Sequence, residues 1–129
     1  KKVAGKITRT VFNSAVGPLV KLFKSMSDEE VYEIFKAYFQ ATYDSIFDAK
    51  NVTQDFFQPT VFKAISGFFP AVARRTKDRF GSVYSYDHFS EVLSPVSEKF
   101  RPTKIKESKN AYKPLVKHLE ECLDSDFHL

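Results

Sequence analysis

His88, His118 and His128 and the single cysteine, Cys122, are the side chains here best suited to hold a metal or to act as base and nucleophile. A zinc or iron site needs several such ligands at short spacing with carboxylates converging on them. Only His118 and Cys122 meet that spacing, being four apart on one helix face. Two ligands do not make a site, and nothing around Cys122 points to a lowered thiol pKa; a cysteine near a helix end is usually a small buried apolar group. The glycines, at 5, 17, 67 and 81, are too far apart for a phosphate loop or a dinucleotide fingerprint. Glu29/Glu33 and Asp44/Asp48 are spaced as carboxylate pairs, but on a helix of this kind they read as its solvated face. No set of nucleophile, base and orienting group can be assembled, so the chain is expected to be no enzyme and to need no cofactor.

The remaining candidate is the basic cluster Arg74, Arg75, Lys77 and Arg79, which closes an apolar helical stretch. Such a positive tip is chemically suited to phosphates and hence to nucleic acid. The alternative role is to complement the negative end of the helix dipole. Lys104, Lys106 and Lys109 extend the patch only if the segment carrying them folds back beside it.

The elements that must position these groups are helical. Val11 to Val16 and Leu19 to Phe23 keep apolar residues at helical spacing on either side of Gly17-Pro18, which predicts two short helices or one bent one. Ser27-Asp28-Glu29-Glu30 is a capping box, and the acids crowding the first turns suit the positive end of a helix. Val31, Ile34, Phe35, Tyr38, Thr42 and Ile46 then form an apolar stripe widened by Phe39, Tyr43 and Phe47, so this helix is expected to lie centrally or to be covered from outside. Pro59 suits a helix entry, and Val61, Phe62, Ile65, Phe68, Phe69 and Val72 continue it, with a kink expected near Pro70 and a stop at Gly81. Ser85 is a candidate N-cap for a short helix over Tyr86 to Leu93, and Ser94-Pro95 ends or restarts it. Arg101 to Asn110 reads as an exposed charged connector, and a last helix is expected from about Asn110 to Leu123 with Pro114 in its first turn. No alternating run or hairpin dipeptide signals a strand. The fold class is therefore all-α, an irregular bundle of five or six helices in a single domain over residues 1–129.

Composition narrows the rest. The 14 Phe and six Tyr, with no Trp and one Met, leave flat rings to fill most of the interior. They are expected to exceed what a small bundle can bury, leaving a Phe-rich face for the chain's own upstream domain or a second copy. The net charge of +4 is segregated: residues 1–27 carry six bases and no acid, and residues 28–55 carry seven acids against two bases. Residues 56–109 return to ten bases against five acids. Blocks of this kind suit elements that dock on one another electrostatically. One cysteine favours a reducing cytoplasm over secretion. The longest uncharged stretches, Thr10 to Val20 and Ala64 to Ala73, fall well short of the roughly 20 residues a bilayer requires, so no membrane partner is expected. A start at Lys1 without Met or leader is expected of the C-terminal fragment of a longer protein.

Four pieces in order carry a family resemblance: Thr10-Val11-Phe12 to Pro18-Leu19-Val20, the helix end Tyr38-Phe39-Gln40-Ala41, the segment Pro59-Thr60-Val61-Phe62-Lys63-Ala64-Ile65, and Ser108-Lys109-Asn110-Ala111-Tyr112. Together they resemble the C-terminal helical region of the DGQHR-domain family, bacterial DndB-like proteins associated with DNA phosphorothioation. The Asp-Gly-Gln-His-Arg motif that names the family is not in this sequence, and in such proteins it lies upstream. The resemblance implies a bacterial cytoplasmic protein linked to DNA modification or its regulation, with this region as a helical accessory part. The expected function is thus a non-enzymatic interaction domain, with direct nucleic-acid binding through the basic cluster as the alternative.

Overall fold

The Ser27 hydroxyl accepts the Glu30 backbone N–H at 3.2 Å, and the Glu30 carboxylate accepts the Ser27 N–H at 2.9 Å. These reciprocal bonds start the central helix, and a cap of this kind is worth about 1 kcal/mol. In the computed structural model, which describes residues 9–23, 25–108 and 111–124, the helix order is α1 (Arg9–Val16), α2 (Asp28–Thr42), α3 (Pro59–Phe80), α4 (Tyr86–Val92), α5 (Ser94–Lys99), α6 (Thr103–Ser108) and α7 (Lys113–Asp124). A 3-10 segment, Gly17–Phe23, follows α1 at the Gly-Pro break; α2 runs on as π-helix over Tyr43–Asp48, and one 3-10 turn spans Thr53–Asp55. The chain is all-α, with no strand among the described residues. The helices added to the sequence-based count are the short ones: Ser94-Pro95 restarts a helix, and α6 forms inside the charged connector because Ile105 and Ser108 are buried.

All nine residues of the α2 stripe and its widening aromatics are buried. This helix is the axis of the core, packed against α3 and α4. Phe35 and Tyr38 meet Phe69 of α3 at 4.4 and 4.9 Å between ring centroids, Phe39 stacks on Phe62 at 4.8 Å, and Phe89 of α4 closes on Tyr38 at 5.7 Å. Tilted and edge-on contacts of this sort add to the gain from burial. α3 continues through Gly67 and Pro70 to Phe80. Pro70 has no N–H for the Ser66 carbonyl. Beside that gap the buried Tyr38 hydroxyl donates to the Ile65 carbonyl at 2.6 Å, tying α2 to α3. Burial holds its phenol pKa well above the ordinary value.

The expectation that the rings exceed the interior is not met. Eleven of the 14 phenylalanines are buried in one continuous core; Phe80 is half-buried, Phe57 is 37% exposed, and Phe127 lies outside the described residues. Helices α1, α3 and α4 pack on α2, so its wide face is covered by the chain itself.

Candidate functional site

Arg74, Arg75, Lys77 and Arg79 fall in the last turns of α3, where Gly81, at φ 78° and ψ −159°, ends the helix in a conformation that a side chain disfavours. Helical spacing divides the cluster. Arg75 and Arg79, four apart, face a groove of about 630 Å³ toward α7, together with Arg74. Asp78, Glu120 and Asp124 share its lining, which does not include Lys77. Three guanidiniums and three carboxylates leave the groove close to neutral. The Arg75 guanidinium lies 3.0 Å from the Asp124 carboxylate and donates to the Leu123 carbonyl at 3.5 Å, so it closes the C-terminal end of α7. Arg79 pairs with Glu91 of α4 at 3.6 Å and lies over the Phe80 ring, which stacks on His88 at 4.0 Å. His88 Nδ1 donates to the Val83 carbonyl at 2.8 Å, pinning the α3–α4 turn. Of the lysines expected to extend the patch, Lys104 pairs with Glu107 at 3.4 Å, Lys106 is exposed, and Lys109 lies outside the described residues. Arg75 and Arg79 thus join α3 to α7 and to α4.

His118 and Cys122 do share a face of α7, and both are buried. His118 Nε2 accepts the Arg101 backbone N–H at 3.1 Å, and the Cys122 sulfur sits 3.6 Å from the same nitrogen. An imidazole accepting there carries its proton on Nδ1. Burial, then the charge of Lys104, lowers the His118 pKa, and burial, then Glu121, raises that of the Cys122 thiol. The lone pair that would deprotonate the thiol is already directed at Arg101. The pair therefore acts as a clasp between α7 and the α5–α6 turn. Among the described residues no three His, Cys, Asp or Glu side chains converge as a metal site. His128 lies outside them. Of the paired carboxylates, Glu29, Glu33 and Asp48 are exposed, while Asp44 accepts from Gln40 Nε2 at 3.1 Å and from the Tyr86 hydroxyl at 2.7 Å. That bond to Asp44, before any other cause, raises the Tyr86 pKa.

A second groove, of about 540 Å³, opens between α1 with its 3-10 extension and the first turns of α2. Phe12, Val16 and Val31 make its floor, and Val20 and Tyr32, 38% and 42% exposed, rise from it. Among the described residues its charged lining is Asp28, Glu29 and Glu33, with no base. Asp28 and Glu29 have no ion-pair partner among the described residues. Glu33 holds Lys36 at 3.4 Å, and the same ammonium lies over the Tyr32 ring at 5.5 Å. Sequence reasoning did not single out Val20 or Tyr32. The available signal was that Tyr32 stands off the apolar stripe of α2 among acids, where an aromatic ring is not needed for the core.

No family model matches the chain, and no curated protein or solved structure matches it. The described residues thus form a small all-α domain in which Arg75 and Arg79 of the cationic cluster are paired with acids on other helices, while Asp28 and Glu29 of the acidic groove have no ion-pair partner among the described residues. No helix among the described residues is long and apolar enough to cross a membrane.

Proposed function

We propose that this chain is a non-enzymatic helical interaction domain that docks a polypeptide in the groove between α1 and α2. One observation carries the reading: Val20 and Tyr32 both stay exposed on the lining of that groove while most of the large apolar groups among the described residues enter the core. The other exposed large apolar residues among those described, Phe57, Val83 and Tyr86, do not line this groove, and Tyr86 is tied to Asp44. Exposed apolar side chains collected in a concave surface favour recognition over solvation. The cytoplasmic, bacterial and DNA-modification setting rests on the single cysteine and on the four sequence pieces resembling the DGQHR-domain family. Within that setting the docked polypeptide belongs to the assembly that carries this domain.

A photocrosslinking residue in place of Tyr32 of the full-length protein tests the reading, with the exposed Lys106 on α6 as control. A polypeptide adduct from position 32 and none from 106 is expected. Absence of an adduct specific to position 32 overturns the proposal.

The second reading, nucleic-acid binding by Arg74, Arg75, Lys77 and Arg79, is favoured by the exposure of Arg74 and Lys77. The near-neutral groove beside them opposes it, since affinity for a polyanion scales with the phosphates neutralised.

A further inference from the structure

Resting on the docking reading above, we infer that the occupant of the α1–α2 groove is a basic amphipathic helix of a separate partner protein, with its apolar side chains on Val20 and Tyr32 and its cations on Asp28, Glu29 and Glu33.

Charge complementarity selects this occupant. Among the described residues the groove is lined by three carboxylates and no base, and Glu30, committed to the capping box, is not one of the three. Part of the acidic charge offsets the positive end of α2, equivalent to about half a unit charge, and the rest exceeds it. The chain itself shows how a cation sits here: the Lys36 ammonium lies between the Glu33 carboxylate and the Tyr32 ring. A Lys or Arg arriving from outside meets carboxylates of the same kind at Asp28 and Glu29, which have no ion-pair partner among the described residues. The shape favours a helix, because two helical walls with an apolar floor leave a trough that accepts side chains at i, i+3 or i+4 and i+7. The chain's own α1 is a wall of the trough and cannot also fill it. A second copy placed by two-fold symmetry would set these carboxylates against their own counterparts, a repulsive arrangement.

The test uses the 129-residue chain and two labelled synthetic helical peptides sharing the same apolar residues, one with Lys and Arg on its polar face and one with Glu. Fluorescence anisotropy is expected to show binding of the basic peptide, with the acidic one at least about tenfold weaker. Raising salt from about 50 to about 300 mM should weaken the basic peptide several-fold, because the carboxylates are exposed and screened. The Asp28→Asn, Glu29→Gln, Glu33→Gln variant should lose about tenfold affinity, and Tyr32→Ala severalfold. Thermal melts establish that both variants are folded. Equal binding of the two peptides overturns the basic occupant yet leaves the docking reading standing if position 32 still crosslinks. No binding of either peptide, or self-association that these variants abolish, overturns the inference as well. Loss of both peptide binding and the position-32 adduct removes the inference and the docking reading together.

Discussion

The two grooves are similar in volume, about 540 and 630 Å³, and opposite in the state of their charges. Beside α7, arginines and carboxylates face one another in equal number, and two of the arginines are engaged with acids on other helices. Beside α1 the described charges have one sign, and Val20 and Tyr32 among them remain in solvent. A cluster of like charges in a sequence is thus a poor guide to a binding surface until its partners are known. Arg75 and Arg79 of the conspicuous basic run bridge helices, and the acids that looked like ordinary helix-start residues border the open groove.

The largest effect expected from this contrast is in the core that both grooves flank. Phe69→Ala removes a fully buried ring in contact with Phe35, Tyr38 and Phe89 and should cost about 3–5 kcal/mol in chemical denaturation. Tyr32→Ala, on the groove surface, should cost under about 1 kcal/mol. Comparable losses would mean that Tyr32 belongs to the core. Tyr38→Phe deletes only the hydroxyl that meets the Ile65 carbonyl and should cost about 1 kcal/mol.

Arg75→Ala should destabilise by about 0.5–1 kcal/mol, as its partner Asp124 is largely exposed, and should quicken amide exchange at the end of α7. Unchanged exchange there would show that the α7 groove is not held by this pair. The pH dependence should be smaller still. The folded pKa of His118 is lowered from 6.5, so its neutral form is favoured by folding. That contribution is fully present above about pH 6.5 and is lost as pH falls through the lowered folded value. Melting temperature should therefore drop on acidification below about pH 6.5, and the drop should shrink in His118→Gln, which keeps an acceptor for the Arg101 N–H. A slope unchanged by this substitution assigns the pH effect to other groups. The smallest expected signal is DNA affinity: with the α7 groove near neutral, duplex binding at physiological salt should be negligible. Steeply salt-dependent binding that the quadruple Gln variant of Arg74, Arg75, Lys77 and Arg79 abolishes would reverse the roles assigned to the two ends of the molecule.

Much of the architecture was legible in the residues. The capping box at Ser27, the entry at Pro59, the stop at Gly81, the cap at Ser85 and the early Pro114 all lie where helices begin or end. The shared face of His118 and Cys122 was legible as well, while its role was not, since the group that occupies the histidine nitrogen is the backbone of Arg101, 17 residues away. The charged connector concealed α6 because one buried isoleucine carries too little periodicity to register. The aromatic surplus misled for a related reason: composition counts rings, but the volume that encloses them depends on how many helices close around α2.

Residue order alone determined the longer helices, because caps, proline entries, glycine stops and apolar periodicity act over a few neighbouring positions. Only the tertiary structure decided which charges are satisfied and which apolar groups remain in solvent. Arg75 and Asp124 stand 49 positions apart, and Phe12 and Tyr32 come within 5.0 Å only when α1 folds back on α2. Electrostatic pairing and burial are properties of distance in space, and one helix's sequence carries no record of which other helix will lie beside it.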